Sequence, residues 1–320
     1  MQFFKKTNID FIGKRAIFFW FSSILSTIGI LAIVFLGVKF GIDFDGGTEL
    51  TVKFEKQVGT EDVRTGMKQS GIEASEIKSY GEGSQFIVRM KNTENMDQIK
   101  EKISKAFEGK GYELMGENSI GAKIGGEMKR DAFIAVFLAI IGILLYIAFR
   151  FEFIFGLGAI IALIHDVIMT FSFLVIAQHL GLGIEVDATI LAAMLTVIGF
   201  SINDTVIIFD RIRENKEKMK GIPMAKYFNL SINETLSRTI NTVLTVVLVL
   251  LTMVFLGGSV LMGFSFTMLL GILFGTYSSI YIASSYVLFH YKKFRNVDID
   301  GGVSGTGIDK KQAAITATKA

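Results

Sequence analysis

An ionisable side chain in the middle of an apolar helix is expensive, roughly 2.5–3.5 kcal/mol at a bilayer centre on insertion scales, so its presence points to chemistry or to a buried partner. Asp204 is such a residue. It lies in Ser201-Ile202-Asn203-Asp204-Thr205, about 9 Å along a helix axis from the charged cluster that opens at Asp210. A second polar set starts at Arg238. Asn241, Thr242, Thr245 and Thr252 follow it at helical spacing, which places them on one face. A carboxylate that takes up and releases a proton, governed by a cation on a neighbouring helix, is chemistry that this pair could perform. Each residue also has a plain structural reading: Asp204 pairing with a nearby base, and Arg238 anchoring a helix end. His165-Asp166, with Thr170 one turn on, fits either a proton relay or an interhelical hydrogen bond, and the second is preferred because no other titratable group lies nearby in sequence. Other chemistries lack their residues. Cys is absent and the three His are scattered, so no metal or disulfide centre is expected. No phosphate-binding loop of the Walker type and no nucleophile elbow is present, and neither an enzyme activity nor a cofactor is expected.

The elements that must hold these residues are membrane spans. In 320 residues the hydrophobic share is 51% and the charged share 20%, with a mean hydropathy of +0.50. Ala16–Val38, Ala132–Phe149 and Thr239–Phe289 are free of charge. The last run would make a helix of roughly 76 Å against a hydrocarbon core of about 30 Å, so it crosses twice, turning at Gly257-Gly258-Ser259. With spans at about 153–178 and 186–210 the total is six. Gly271 and Gly275 in the last span form a small-residue packing face, extended by Ser278 and Ser279. Lys and Arg concentrate in alternate connections, while the short loops 179–186 and 257–259 carry none, which places both termini in the cytoplasm. The net charge of +3 reflects this topology and not a nucleic-acid partner.

Residues 1–38 are therefore the N-terminus and first span, 39–131 a single exported domain, 132–296 spans two to six, and 297–320 a disordered cytoplasmic tail. Period-two alternation in Glu49–Phe54 and Gln85–Met90 predicts strands, and Thr60 and Thr93 with acidic first turns predict helix starts. Short strands near Ile77 and Tyr112–Leu114 complete a split βαβ, ferredoxin-like α+β domain.

Gly41-Ile42-Asp43-Phe44-Asp45-Gly46-Gly47-Thr48, the run Gly199 to Asn215, and Asn233-Glu234-Thr235-Leu236-Ser237-Arg238-Thr239-Ile240-Asn241-Thr242 closely resemble the SecF family, and the resemblance covers nearly the whole chain. One departure is Gly121-Ala122-Lys123-Ile124-Gly125-Gly126 where the family usually has Gly-Pro; Ala122 leaves that hinge less restricted in φ. The resemblance implies a multi-pass subunit of the bacterial inner membrane, in the resistance-nodulation-division superfamily. Such a subunit pairs with SecD and serves the SecYEG translocon, with YajC and a YidC-type insertase as further partners. It spends proton-motive force on drawing out an unfolded preprotein. The proton pathway carries over onto Asp204 and Arg238, with Asn203, Thr205, Asn241, Thr242, His165 and Asp166 as supporting polar residues. Asp43, Phe44, Gly46 and Gly47 carry over as the motif at the junction of membrane and domain. A proton-coupled exporter of lipids or small molecules and a non-transporting translocon scaffold are the alternatives; the single domain of about 90 residues argues against the first.

Overall fold

The computed structural model describes residues 7–72, 74–80, 84–90, 96–108 and 111–301. Six of its helices are long and apolar enough to cross a membrane, and a small sheet domain is inserted after the first. The spans are α1 (Arg15–Leu36), α5 (Ala122–Arg150), α6 (Phe153–His179), α7 (Ala188–Lys218), α8 (Met224–Leu256) and a last span made of α9 (Gly258–Ser278), a π-helical turn (Ser279–Ala283) and α10 (Ser284–Phe294). Several helices outrun their apolar cores: α5 begins at Ala122 and not Ala132, α7 ends at Lys218 and not Asp210, and α8 begins at Met224 and not Thr239. Hydropathy marks only the part of a helix that lipid or protein must cover, while backbone hydrogen bonding continues through polar residues once the helix is nucleated.

In the bundle α6, α7 and the last span are half buried, whereas α1, α5 and α8 show most of their surface. Small residues set how close the central helices come. A Cβ on Gly271 would lie 2.2 Å from the Val197 side chain, and one on Gly275 would lie 3.1 Å from Ser201 Cβ. The small-residue face therefore packs within this chain, against α7. Large apolar side chains such as Phe35, Phe149 and Phe255 are fully presented to the surroundings, as lipid contact requires.

The inserted domain comprises β1 (Gly47–Phe54), α3 (Thr60–Gln69), β2 (Ala74–Tyr80), β3 (Gln85–Met90), α4 (Met96–Ala106) and β4 (Tyr112–Ile120). Its antiparallel sheet has the order β2-β3-β1-β4. The expected alternation puts Leu50, Val52 and Phe54 of β1 and Phe86 and Val88 of β3 on one face, where they meet Val63 and Met67 of α3 and Ile99 and Ile103 of α4. Phe54 meets Phe86 and Phe107 edge-on, at 5.7 and 5.0 Å between ring centroids. Burying each such side chain stabilises by about 1.5–3 kcal/mol. Helix α3 starts at Thr60 with Gly59 as its cap, one residue ahead of the expected position, and Asp62 accepts from the Gly59 N–H at 3.3 Å. The second expected start, Thr93, falls outside the described residues.

Residues 41–47 connect α1 to the domain. The four-residue helix α2 (Ile42–Asp45) ends at Gly46 and Gly47, whose φ values of 74° and 142° favour glycine. A Cβ on Gly46 would sit 2.7 Å from Ala122 Cα, and one on Gly125 would sit 2.9 Å from Gly46 N. Both sites lack room as well as, at Gly46, a suitable backbone angle. Gly46→Ala should therefore destabilise the junction by about 1–3 kcal/mol, seen as earlier thermal unfolding in detergent; Gly142→Ala, inside α5 with nothing within 4 Å, is the control that should not destabilise.

At the opposite end of the bundle the start of the tail is ordered, contrary to the expectation for 297–320. Ile299 is 1% exposed within the main core cluster and its carbonyl accepts from Ala225 N at 2.9 Å, while Asp300 faces Arg15 at 3.4 Å. One isoleucine among glycines and aspartates carries no periodic signal. Residues 302–320 lie outside the described ones.

Candidate functional site

The polar core of the bundle is built on α7. Ser201, Asp204 and Thr205 lie at i, i+3 and i+4, a spacing that puts all three on one stripe, and they are 4%, 3% and 2% exposed. That stripe faces α6 and α9. Asp166 of α6 is fully buried. Its Oδ2 accepts from Ser201 Oγ at 2.5 Å and from Ser278 Oγ at 2.7 Å, and its Oδ1 lies 3.0 Å from His165 Nδ1. Thr205 Oγ1 and Ser279 Oγ are 2.9 Å apart at the start of the π-helical turn, the kind of helix irregularity that often sits beside functional residues. Three helices are thus tied to one carboxylate.

Asp204 is held differently. The Thr276 hydroxyl lies 3.4 Å from Asp204 Oδ2 and 2.9 Å from the Ile272 carbonyl of its own helix. A single hydroxyl proton serves one acceptor at a time. Among the described residues Asp204 therefore has one long, shared donor, where Asp166 has the short, unshared Ser201 and, at 2.7 Å, Ser278, whose hydroxyl also lies 3.1 Å from the Gly275 carbonyl. Changing the side chain at Asp204 would therefore disturb fewer contacts between helices than changing it at Asp166.

Arg238 lies exposed on α8, within electrostatic reach of Asp204 but not in an ion pair with it. Asn203 is exposed and turned away from the stripe, and Asn241 is half-buried. Thr242, Thr245 and Thr252 donate back to carbonyls of their own helix and stay exposed. The polar face of α8 thus points out of the six-helix bundle. Sequence reasoning missed two residues: Thr276, the donor beside Asp204, and Thr239, buried with a hydroxyl unpartnered among the described residues. Both sit in runs with other hydroxyl residues, and side-chain direction on a helix cannot be chosen without knowing the neighbour. His165 Nε2 is buried and unpartnered among the described residues, and the ring lies 6.1 Å from that of Tyr277. Tyr277 in turn donates to Phe18 O at 2.8 Å and receives from Ser22. Among the described residues no three His, Cys, Asp or Glu come together as a metal site.

The junction motif forms a second constellation. Phe44 is buried among Leu174, Ile184, Val186 and Ile190. Asp43 Oδ2 accepts from the Ala188 N–H at 3.0 Å, at the N-terminus of α7, where Asp187 Oδ1 accepts from Ile190 N at 2.8 Å. Lys129 Nζ is 3.6 Å from Asp45 and 3.5 Å from the Phe40 ring centroid. Arg89 on β3 pairs with Glu49 at 2.5 Å and with Glu185 of the α6–α7 loop.

The chain is related to known proteins over most of its length. The family described as protein export membrane protein SecD/SecF, C-terminal, matches residues 99–293, and the SecD/SecF GG motif matches residues 31–58. The protein translocase subunit SecF of Calditerrivibrio nitroreducens is 39% identical over 291 residues, covering 88% of this chain and 93% of that protein. The chain belongs to the SecF family. The SecF of Thermodesulfovibrio yellowstonii is likewise 39% identical, over 90% of this chain and 96% of its own length. Among solved structures, the SecDF of Thermus thermophilus, a translocon-associated membrane protein, superposes with a TM-score of 0.79 at 34% identity over 90% of this chain. A SecDF in a super-membrane-facing form superposes with a TM-score of 0.67 at 30% identity. This SecF-family chain spans 39% and 41% of those two chains.

Proposed function

We propose that this chain is the SecF half of a SecD–SecF unit that uses proton-motive force to promote late steps of Sec-dependent protein translocation across the bacterial plasma membrane. Asp204 is the proton-carrying group, and Arg238 controls which of its protonation states is favoured. The observation that carries this reading is the contrast between the two buried carboxylates: Asp166 is held by short donors from two other helices, and among the described residues Asp204 has one donor, the Thr276 hydroxyl at 3.4 Å. One proton moving down 100 mV releases about 2.3 kcal/mol, enough to shift a two-state orientation of the domain about fifty-fold.

SecD supplies the other half of the pathway. The outward-facing polar stripe of α8, and the exposure of α1 and α5, leave surface for the helices of that partner. SecYEG, YajC and a YidC-type insertase are the further partners, and an unfolded preprotein is the substrate. No cofactor takes part. Residues 39–131 face the outside as a ferredoxin-like domain, a reading supported by the βαββαβ succession with strand order β2-β3-β1-β4. Both termini face the cytoplasm, in keeping with the Lys and Arg of the connecting segments.

Two experiments test this arrangement. The chain has no Cys, so single cysteines at Ser70 and at Lys226 report topology directly. An impermeant maleimide applied to intact spheroplasts should label the first and not the second; labelling of both from outside overturns the orientation. Native mass measurement after mild detergent extraction should give an assembly containing SecD. A monomer that supports proton-dependent export in liposomes without SecD contradicts the partnership.

A further inference from the structure

Helix α7 carries Asp204 and reaches the domain end of the bundle at Ala188, roughly 24 Å away at helical rise. A hydrogen-bonded helix of this length is stiff, so an axial shift or rotation produced around Asp204 arrives at its first turn little diminished. What that turn is attached to decides where the motion goes. Asp187 caps the helix from within and moves with it. Asp43 caps it from a different part of the chain, the junction helix α2.

Helix α2 has little freedom of its own. Gly46 and Gly47 lead from it directly into β1. Its Phe44 carbonyl would lie 3.1 Å from a Cβ on Gly125, so it is pressed against the first turn of α5. Backbone bonds join the α1–α2 connection to the loop before α7, from Gly41 N to Val186 O at 2.9 Å and from Val186 N to Lys39 O at 3.0 Å. Lys39 is paired in both directions with the Gln178 amide at the end of α6, at 3.1 and 3.0 Å. These contacts hold the loop. Among the described residues the Asp43 carboxylate is the side chain of the junction that hydrogen-bonds the first turn of α7 itself. An acceptor there is favoured twice, by an otherwise unpaired N–H and by the positive end of the helix dipole.

From this we infer that Asp43 is the coupling residue between proton transfer and domain movement: its cap on Ala188 transmits displacement of α7 to α2 and thence to β1. The inference rests on the proton-driven reading above. Asp43 touches no group on the proton pathway, so it is a positioning residue, and loss of its cap separates proton passage from mechanical work.

The test uses the complete SecD–SecF assembly in vesicles under an imposed proton gradient, with proton flux and export of one preprotein read in parallel. Asp43→Ala should leave flux within two-fold and lower gradient-dependent export at least five-fold. Asp43→Asn keeps an oxygen acceptor at the same place and should export within two-fold of the unmodified protein. Unchanged export by Asp43→Ala overturns the inference. So does a parallel fall of flux and export, and so does failure of Asp43→Asn to the same extent as Asp43→Ala. Should Asp43→Ala not accumulate, amide hydrogen exchange in the unmodified assembly decides: exchange at Ala188 and across β1 should change together when the gradient is imposed, and independent behaviour overturns the coupling. Asp204→Asn is measured alongside. If its flux is unchanged, the proton-driven reading fails, a result distinct from any Asp43 outcome.

Discussion

Asp166→Ala will destabilise the helix bundle by on the order of 3–5 kcal/mol, the range for breaking one member of a fully buried charged or charge-assisted network. The carboxylate is 0% exposed and joins α6 to α7 through Ser201 and to α9 through Ser278, with His165 on its other oxygen. Removing it leaves the buried Ser201 hydroxyl and an imidazole nitrogen of His165 without that acceptor, while Ser278 falls back on the Gly275 carbonyl at 3.1 Å. Asp166→Asn keeps one oxygen acceptor and the volume, and the rotatable hydroxyls of Ser201 and Ser278 adapt to its amide, so the cost should fall to about 1–2 kcal/mol. Denaturant titration in mild detergent, followed by tryptophan fluorescence from Trp20 or by circular dichroism, measures both. An alanine variant within 1 kcal/mol of the unmodified protein would show that Asp166 does not hold the helices together.

Asp204→Asn has the opposite signature. The amide has nearly the same shape, and among the described residues the hydrogen bond made by the carboxylate is the 3.4 Å approach of Thr276. Folding and assembly with SecD should be unchanged within about 1 kcal/mol, the size of one ordinary hydrogen bond. Function should be lost, because the amide does not titrate and no other group on the α7 stripe can replace it: Ser201 and Thr205 are hydroxyls engaged with Asp166 and Ser279. Gradient-dependent enhancement of export should disappear. Export as fast as the unmodified protein at the same proton-motive force, with normal expression, means that Asp204 is a packing residue. Arg238→Lys keeps the charge and loses the planar fork; since the guanidinium makes no ion pair with Asp204, this variant should retain partial activity.

The sequence was informative wherever a residue's cost is independent of its neighbours. A carboxylate in an apolar run is costly in any fold, so Asp204 and Asp166 stood out, and the alternation of β1 and β3 specified which face of the sheet would be buried. What escaped depended on pairing. Asp166 and Ser278 are 112 residues apart, and the small-residue spacing of Gly275 and Ser278 signals packing without saying that Gly275 meets Ser201 of α7 and Ser278 meets Asp166 of α6. The stripe beginning at Arg238 lies along one face of α8, and no spacing rule says whether that face turns in or out; in the structure Arg238, Thr242, Thr245 and Thr252 are exposed. Asp43 was legible as part of a motif, but its contact with Ala188 spans 145 residues and exists because the α1–α2 connection pairs with the loop before α7. Ile299 shows the converse, a single apolar residue in a polar tail that finds a pocket no periodicity predicts.

The claim at the centre of this account is that Asp204 carries the proton. Purified SecD–SecF assembly, reconstituted into vesicles holding a pH-sensitive dye and clamped at a fixed gradient, tests it without the remainder of the export machinery. The unmodified assembly should conduct protons above the empty-vesicle rate, and Asp204→Asn, at equal reconstituted amount, should fall to that background. Equal conduction by the two contradicts the account.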